Sequence, residues 1–281
     1  MISKMLQIPS RLGVIGKPSD WLIASNIDRQ IALRDYGVEF VDIPFDEFAK
    51  EIDQAHYPCD EKVDNIREKA AKSQYLEGAL NIYGALSRLI SKYHLDGFSI
   101  RCFDLLGTYK NTACLALALL NDYHLSAGCE GDLPILLAMH LVRRWLNAPA
   151  FQANPSAIFP AEHTIYFAHC TIPFSMCKNC TFLTHFESDL GIGIRGELPL
   201  SPVTIFRLSS DLKKVFVEEG VIIQNLKRDD MCRTQIAIKV KGDLGKLLIS
   251  PLGNHHLIVL GHHKKKLLHS VKTINPAIIV V

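Results

Sequence analysis

The chain lacks any apolar run near the ~20 residues that a bilayer-spanning helix needs. It also lacks a strong charge bias: 31 Lys and Arg face 29 Asp and Glu, for a net +2 over 281 residues. That excludes a broad basic field for nucleic acid. The one basic cluster, Lys264-Lys265-Lys266, reads as a solvated helix face. Met1 to Leu6 has no long apolar core and no small-residue cleavage site, so no secretory signal is expected. No span and no signal together predict a cytoplasmic protein. No Walker loop and no G-x-S-x-G elbow occurs, so phosphoryl transfer and serine hydrolysis have no local support.

Cysteine is present eight times, without a disulfide framework. Cys59, Cys102, Cys114, Cys129, Cys170 and Cys232 are scattered among apolar neighbours and are expected to be reduced and buried. Cys177-Lys178-Asn179-Cys180 is a single C-x-x-C. A structural zinc there would need two further ligands, and His169, Cys170 and His185 are the nearest candidates.

Over the first half, strand and helix patterns alternate. Arg11–Gly16, Phe40–Pro44, Gly97–Cys102 and His124–Cys129 read as short buried strands. Asp20–Tyr36, Asp60–Tyr93, Asn111–Tyr123 and Leu133–Trp145 carry helical spacing. This predicts a doubly wound, mostly parallel α/β sheet over residues 1–160. Pro149, Pro155 and Pro160 mark a connecting segment. Short β-like runs follow, separated by Gly, Pro, Asn and Asp, among them Thr164–Cys170, Val203–Leu208, Thr234–Val240, Leu247–Ile249 and Leu257–Leu260. They predict a mainly antiparallel, barrel-like domain over 161–281.

The densest chemistry is Gly128-Cys129-Glu130-Gly131-Asp132-Leu133, where two carboxylates lie between a strand end and a helix start. Ligands collect at such ends in α/β folds. Asp132 is equally suited to cap the helix that follows; Glu130 is a poor cap. Asn254-His255-His256 begins a late apolar run, and in a strand the two imidazoles would face opposite ways. His169 ends the run Tyr166–His169. Arg101 and Asp104 follow a strand, and Arg101 could hold an anionic or hydroxyl group. Thr184–Asp189 sets His185 and Glu187 on one face if it is a strand.

Cys129-Glu130-Gly131-Asp132, Phe151-Gln152-Ala153-Asn154-Pro155-Ser156, Phe167-Ala168-His169-Cys170 and Gly253-Asn254-His255-His256 occur in one order. In these residues the chain resembles the L-fucose isomerase / L-arabinose isomerase superfamily, most clearly over residues 97–263. The resemblance implies a fucose-isomerase C-terminal-like second domain, a homo-oligomer, and aldose–ketose interconversion through an enediol. It implies a divalent metal, usually manganese, held by carboxylates and histidines. Glu130 matches the first metal-binding carboxylate and a proton shuttle, with Asp132 as a second catalytic acid. His169, His255 and His256 match the histidine ligands. Arg101, Asn154, His185 and Glu187 are expected to bind the sugar.

One departure stands out. The family's second carboxylate falls near Gln152 to Asn154, and both candidate positions are amides. No acidic residue occurs between Asp132 and Glu162. An amide can coordinate but cannot take a proton at neutral pH. Asp132 or Glu187 substitutes, or the chain is a non-catalytic sugar-binding descendant, or it runs another metal-assisted reaction such as epimerisation.

Overall fold

The computed structural model describes residues 8–281, so the reading of Met1–Leu6 lies outside the described residues. The first layer is an all-parallel sheet of β1 (Ser10–Ile15), β2 (Val38–Ile43), β3 (Gly97–Ile100) and β4 (Ser126–Cys129), in the order β2-β1-β3-β4. It is joined by α1 (Arg29–Tyr36), α2 (Phe45–Ile52), α3 (Glu61–Lys69), α4 (Leu76–Tyr93), α5 (Asp104–Tyr109) and α6 (Cys114–Asp122). One face is covered by α2, α3, α4 and α6, whose Phe48, Val63, Leu80 and Leu117 pack with Ile15 and Phe98. The other face is covered by α1 and α7 (Leu133–Leu146).

Every residue of α7 from Leu133 to Val142 is buried. A helix apolar on all sides needs partners on two sides. Leu12, Val14 and Val38 of the sheet supply one; Phe206, Leu208, Leu257 and Val259 supply the other.

Those last four residues belong to the outer surface of a barrel. The second half contains β5 (Phe151–Phe159), β6 (Thr164–His169), β7 (Asn179–Leu183), β8 (Gly193–Glu197), β9 (Pro202–Leu208), β10 (Lys214–Asn225), β11 (Thr234–Val240) and β12 (His256–Leu260). Six of them close as β11-β6-β5-β12-β9-β10, with β10 returning to β11, and every pair is antiparallel. Closure removes the free edges of an open sheet. Phe151, Ile165, Phe167, Ile205, Ile236 and Ile238 fill the interior. β7 and β8 form a separate hairpin. α8 (Gly245–Ile249) and α9 (Lys264–Ile274) precede and follow β12, and β13 (Ile279–Val280) pairs in parallel with β10.

Several local expectations change. Helix over Asp20–Tyr36 is confined to α1, because Asp28 caps it by accepting from the Gln30 and Ile31 backbone N–H groups. Residues 17–28 run instead as irregular chain toward the end of β4. The connecting segment after Asn147 contains β5, the first barrel strand. Its Pro155 sits where the pairing register with β6 shifts, a position at which a strand tolerates a missing N–H. Leu247–Ile249 is part of the short helix α8, not a strand. Thr184–Asp189 is the tip of the β7–β8 hairpin rather than a strand. Gly191, Gly193 and Gly196 have G-x-G-x-x-G spacing, but they lie along this hairpin and not at a strand-to-helix turn. Cys59 is exposed, and all eight cysteines are free.

One buried cluster ties barrel to sheet. Asp132 caps α7, its Oδ1 accepting from the Ile135 N–H at 3.1 Å. Its Oδ2 pairs with the Arg207 guanidinium of β9 at 3.2 Å, and both side chains are fully buried. Arg207 also donates to the carbonyls of His255 and Ala24. Gly253 leaves the space that Arg207 occupies, since a Cβ there would collide with the guanidinium. Arg207→Met is expected to cost about 3–5 kcal/mol, because it removes the guanidinium partner of a fully buried carboxylate. Adding Asp132→Asn should recover part of that loss in urea denaturation; strictly additive losses would show that the two groups do not act as a pair.

Candidate functional site

β4 ends in an unusual backbone. Glu130 and Gly131 both adopt left-handed conformations, with φ of 59° and 60°. Gly131 is required there, since a Cβ would lie 2.7 Å from the Lys17 carbonyl oxygen. For glutamate the conformation costs on the order of 1–3 kcal/mol, strain of a kind that concentrates at functional positions. The turn is held by the Ser19 hydroxyl, which donates to the Glu130 carbonyl.

The strained turn aims the Glu130 carboxylate at two imidazoles. Its Oε1 lies 3.6 Å from His169 Nε2 at the end of β6 and 3.4 Å from His255 Nε2 just before β12. Its Oε2 accepts from the Trp21 indole N–H at 3.3 Å. His255 Nδ1 lies 3.0 Å from Asp132 Oδ2. That bond fixes the neutral ring with its proton on Nδ1 and its Nε2 lone pair toward Glu130. A carboxylate behind a histidine, orienting its far nitrogen, is the usual outer shell of a metal ligand. The Thr171 N–H donates to His169 Nδ1 at 3.3 Å, so the cation-free neutral ring keeps its proton on Nε2 toward Glu130, and binding a cation through Nε2 would shift that proton to Nδ1 at the expense of the Thr171 bond. Both Nε2 atoms are buried with no hydrogen-bond partner among the described residues.

Burial pushes the Glu130 carboxyl up, but the His255 and His169 rings outweigh it and hold the group well below the usual carboxylate range. Burial likewise opposes the charge on His255, yet Glu130 and Asp132 raise that ring to about 9. His169 lacks the second carboxylate, and burial takes its pKa down. Asp132 stays low despite burial because Arg207 and His255 face it.

Glu130 and His169 open into a cavity of about 410 Å³, within the size of small-molecule sites. Asn154, His185, Glu187 and Asn254 line it with Trp21 and Phe103. His185 is lowered to about 4 by burial. Glu187 is raised, first by burial and then by the Glu130 charge. Trp21 and Phe103 pack with ring centroids 5.3 Å apart, and Phe103 meets His185 edge-on at 5.8 Å.

The expected site residues thus fall into two groups. Glu130, His169, Asn154, His185 and Glu187 line one cavity, and His255 stands fully buried behind it with its Nε2 against Glu130. Asp132, His256 and Arg101 do not line it. Asp132 lies behind His255. His256 points the other way, against Phe167 and Phe216, where burial lowers it to about 3. Arg101 pairs with Asp20 and Asp104 and lies over the Trp21 ring at 4.5 Å. Gln152 is also committed elsewhere. It accepts from the Cys129 N–H at 2.9 Å and donates to the Cys129 carbonyl at 3.2 Å, which fastens β5 to the end of β4. Trp21, Phe103 and Asn254 escaped the sequence reading. Trp21 and Phe103 belong to irregular or helix-capping chain that no periodicity marks.

The donor set fits a cation. Ligand atoms of Cys129, Glu130 and His169 lie within 4.8 Å of one another. Cys129 is the weaker donor, because Cys102 and burial raise its thiol well above the ordinary value.

No family model matches the chain. Over 202 residues it is 25% identical to the sulfoquinovose isomerase of Clostridium sp. (strain MSTE9), covering 67% of this chain and 45% of that protein. The chain therefore spans about half the length of the curated relative it matches. The likeness supports a relationship to sugar isomerases and does not single out the fucose or arabinose branch.

Proposed function

We propose that this protein is a metal-dependent sugar isomerase, interconverting an aldose and a ketose at the Glu130 cavity. The observation that carries the reading is the His255 ring. Asp132 orients it through Nδ1, and its buried Nε2 faces the Glu130 carboxylate 3.4 Å away. Glu130 carries that arrangement to the cavity wall beside His169, and a carboxylate gathered with imidazoles is a donor set for a divalent cation.

Glu130, His169 and His255 would hold the cation, and carboxylate with imidazole suits manganese or a similar divalent ion. Such an ion supplies polarisation of the substrate carbonyl and its neighbouring hydroxyl. The remaining work belongs to side chains. Isomerisation moves a proton from C2 to C1 through an enediol, which needs a base that can also return the proton. Glu130 is held ionised and suits a ligand. Glu187 has a raised pKa and sits in the same cavity, so we assign it the proton transfer. Asp132 becomes a positioning residue, because its oxygens are occupied by Ile135, Arg207 and His255. Asn154, Asn254 and His185 supply donors and acceptors for hydroxyls. Trp21 and Phe103 give an apolar wall for the C–H face of a sugar.

The test is a screen of aldoses with added Mn²⁺, following ketose formation. Glu130→Gln should lose bound metal and activity together. Glu187→Gln should keep its metal while kcat falls about 10²–10⁴-fold, the usual worth of a general base. Full kcat in Glu187→Gln would remove it from the proton transfer. Bound metal with no turnover of any aldose by the wild-type protein would favour the non-catalytic sugar-binding reading.

Protons and metal should compete. Without a cation, His255 titrates near 9, so it is charged at pH 7. Metal affinity should then rise by up to about tenfold per pH unit between 7 and 9, with proton release visible by calorimetry in buffers of different ionisation enthalpy. The metal-free protein should behave oppositely. A pKa raised from 6.5 to about 9 stabilises the fold fully below 6.5, and that contribution disappears as pH climbs through 9. The Tm of metal-free protein should fall over that window, and His255→Gln should flatten the decline.

A further inference from the structure

We propose that Cys177 and Cys180 are a dithiol that closes to a disulfide by exchange with small anionic disulfides, in a second cavity unconnected with the Glu130 site. The cavity, about 600 Å³, lies between α3 and the start of the β7–β8 hairpin. Lys62, Lys69 and Lys178 line it with Glu61, Asp122 and the two cysteines, and with Lys62 paired to Asp122 at 3.9 Å the balance stays positive by one charge.

Three observations point to exchange chemistry. The two cysteines line the same cavity three residues apart, Cys177 with its thiol donating to the Pro173 carbonyl at 3.7 Å and each thiol shifting the titration of the other. Their meeting place has been made by a missing side chain. Gly196 of β8 pairs with Cys180 across the hairpin, and a Cβ on it would stand 2.5 Å from Cys177 Sγ. Both thiols are partly exposed, unlike the buried Cys102, Cys114, Cys129 and Cys170. Cys177 favours the Cys180 thiolate against burial and the Asp122 charge, while Cys180 and burial disfavour that of Cys177. This separates an attacking sulfur from a resolving one.

The step balances without a metal or protein oxidant. Cys180 thiolate attacks a sulfur of RSSR, forming a Cys180–SR mixed disulfide and releasing one thiolate. Cys177 then loses its proton to water and attacks Cys180 Sγ, releasing the second. Two protein thiols are oxidised and one small disulfide is reduced to two thiols. The lysines favour an anionic R group. The base of this hairpin carries the thiols, and its tip carries His185 and Glu187, so the bond would form in the element that furnishes part of the Glu130 cavity.

Oxidised glutathione is the probe, and non-reducing peptide mass mapping of the full chain is the readout, which requires no isomerase activity. The Cys177–Cys180 disulfide should form at least tenfold faster than any other protein disulfide, the exposed Cys59 giving only a mixed disulfide. Cys177→Ala should accumulate glutathione on Cys180. Cys180→Ala should react at Cys177 at least tenfold more slowly. Lys178→Glu should slow exchange with oxidised glutathione severalfold and leave exchange with neutral 2-hydroxyethyl disulfide unchanged. Cys177 and Cys180 remaining alkylatable after Cys59 is fully modified would overturn the proposal. So would a folded Cys177→Ala protein with no adduct on Cys180. Equal slowing of both disulfides by Lys178→Glu would overturn the anionic preference.

Discussion

The fold depends on one fully buried carboxylate. Asp132 ends the turn after β4, starts α7 and meets Arg207 from β9 and His255 from the entry to β12. An isolated charge at that depth would be prohibitively costly, so the surrounding elements are obliged to bring donors to it. That obligation specifies how the barrel sits on the sheet. Arg207 carries the constraint further, since its other donors reach the carbonyls of Ala24 and His255. The apolar contact across α7 supplies area but little direction. The ionic knot supplies direction, and a site built from both halves requires it.

Specificity of position then becomes electrostatics. Asp132 holds one edge of His255, Glu130 faces the other, and the ring between two carboxylates has its pKa raised as far as burial allows. Glu130 is forced toward the rings by a left-handed turn that few glutamates adopt. The consequence is a carboxylate kept charged in a closed place, beside a second carboxylate, Glu187, kept closer to neutral. Two acids pushed apart in pKa by their surroundings can divide the tasks of binding charge and moving protons.

Much of this frame was legible in the residues because periodicity reports burial. The apolar run Leu133–Trp145 reads as a helix with no polar face, and it is sandwiched between two cores. The alternation of strand and helix to residue 146 and the strand-rich texture beyond it follow from the same signal. Adjacent His255 and His256 had to diverge in extended chain, and they do, one toward Glu130 and one toward Phe167 and Phe216. Where periodicity fails, the reading failed too. β5 looks like a proline-rich linker because Pro155 sits at a register shift, which no local pattern announces. Trp21 comes from irregular chain whose course is set by Glu130, more than a hundred positions away in sequence. Asp20–Tyr36 has helical spacing throughout, but those tertiary contacts take its first part.

Gln152 shows why the second acid had to come from elsewhere. It lies where a sugar isomerase of the resembled type is expected to place a carboxylate, and its amide both accepts from and donates to the Cys129 backbone. A carboxylate could accept from that N–H but would face the Cys129 carbonyl with no proton to give. The amide therefore serves the joint between sheet and barrel, immediately beneath Glu130. Once that position is structural, any proton transfer must be carried by a group outside the joint. The β7–β8 hairpin forms its own two-stranded sheet, fastened to the barrel through Thr234, Cys170 and Arg233 rather than by strand pairing, so its tip can present a side chain without disturbing the ladder. Glu187 occupies that tip. On the reading proposed here, the acid has moved from the rigid frame to an appended hairpin, and the geometry of the reaction depends on how firmly that hairpin is held.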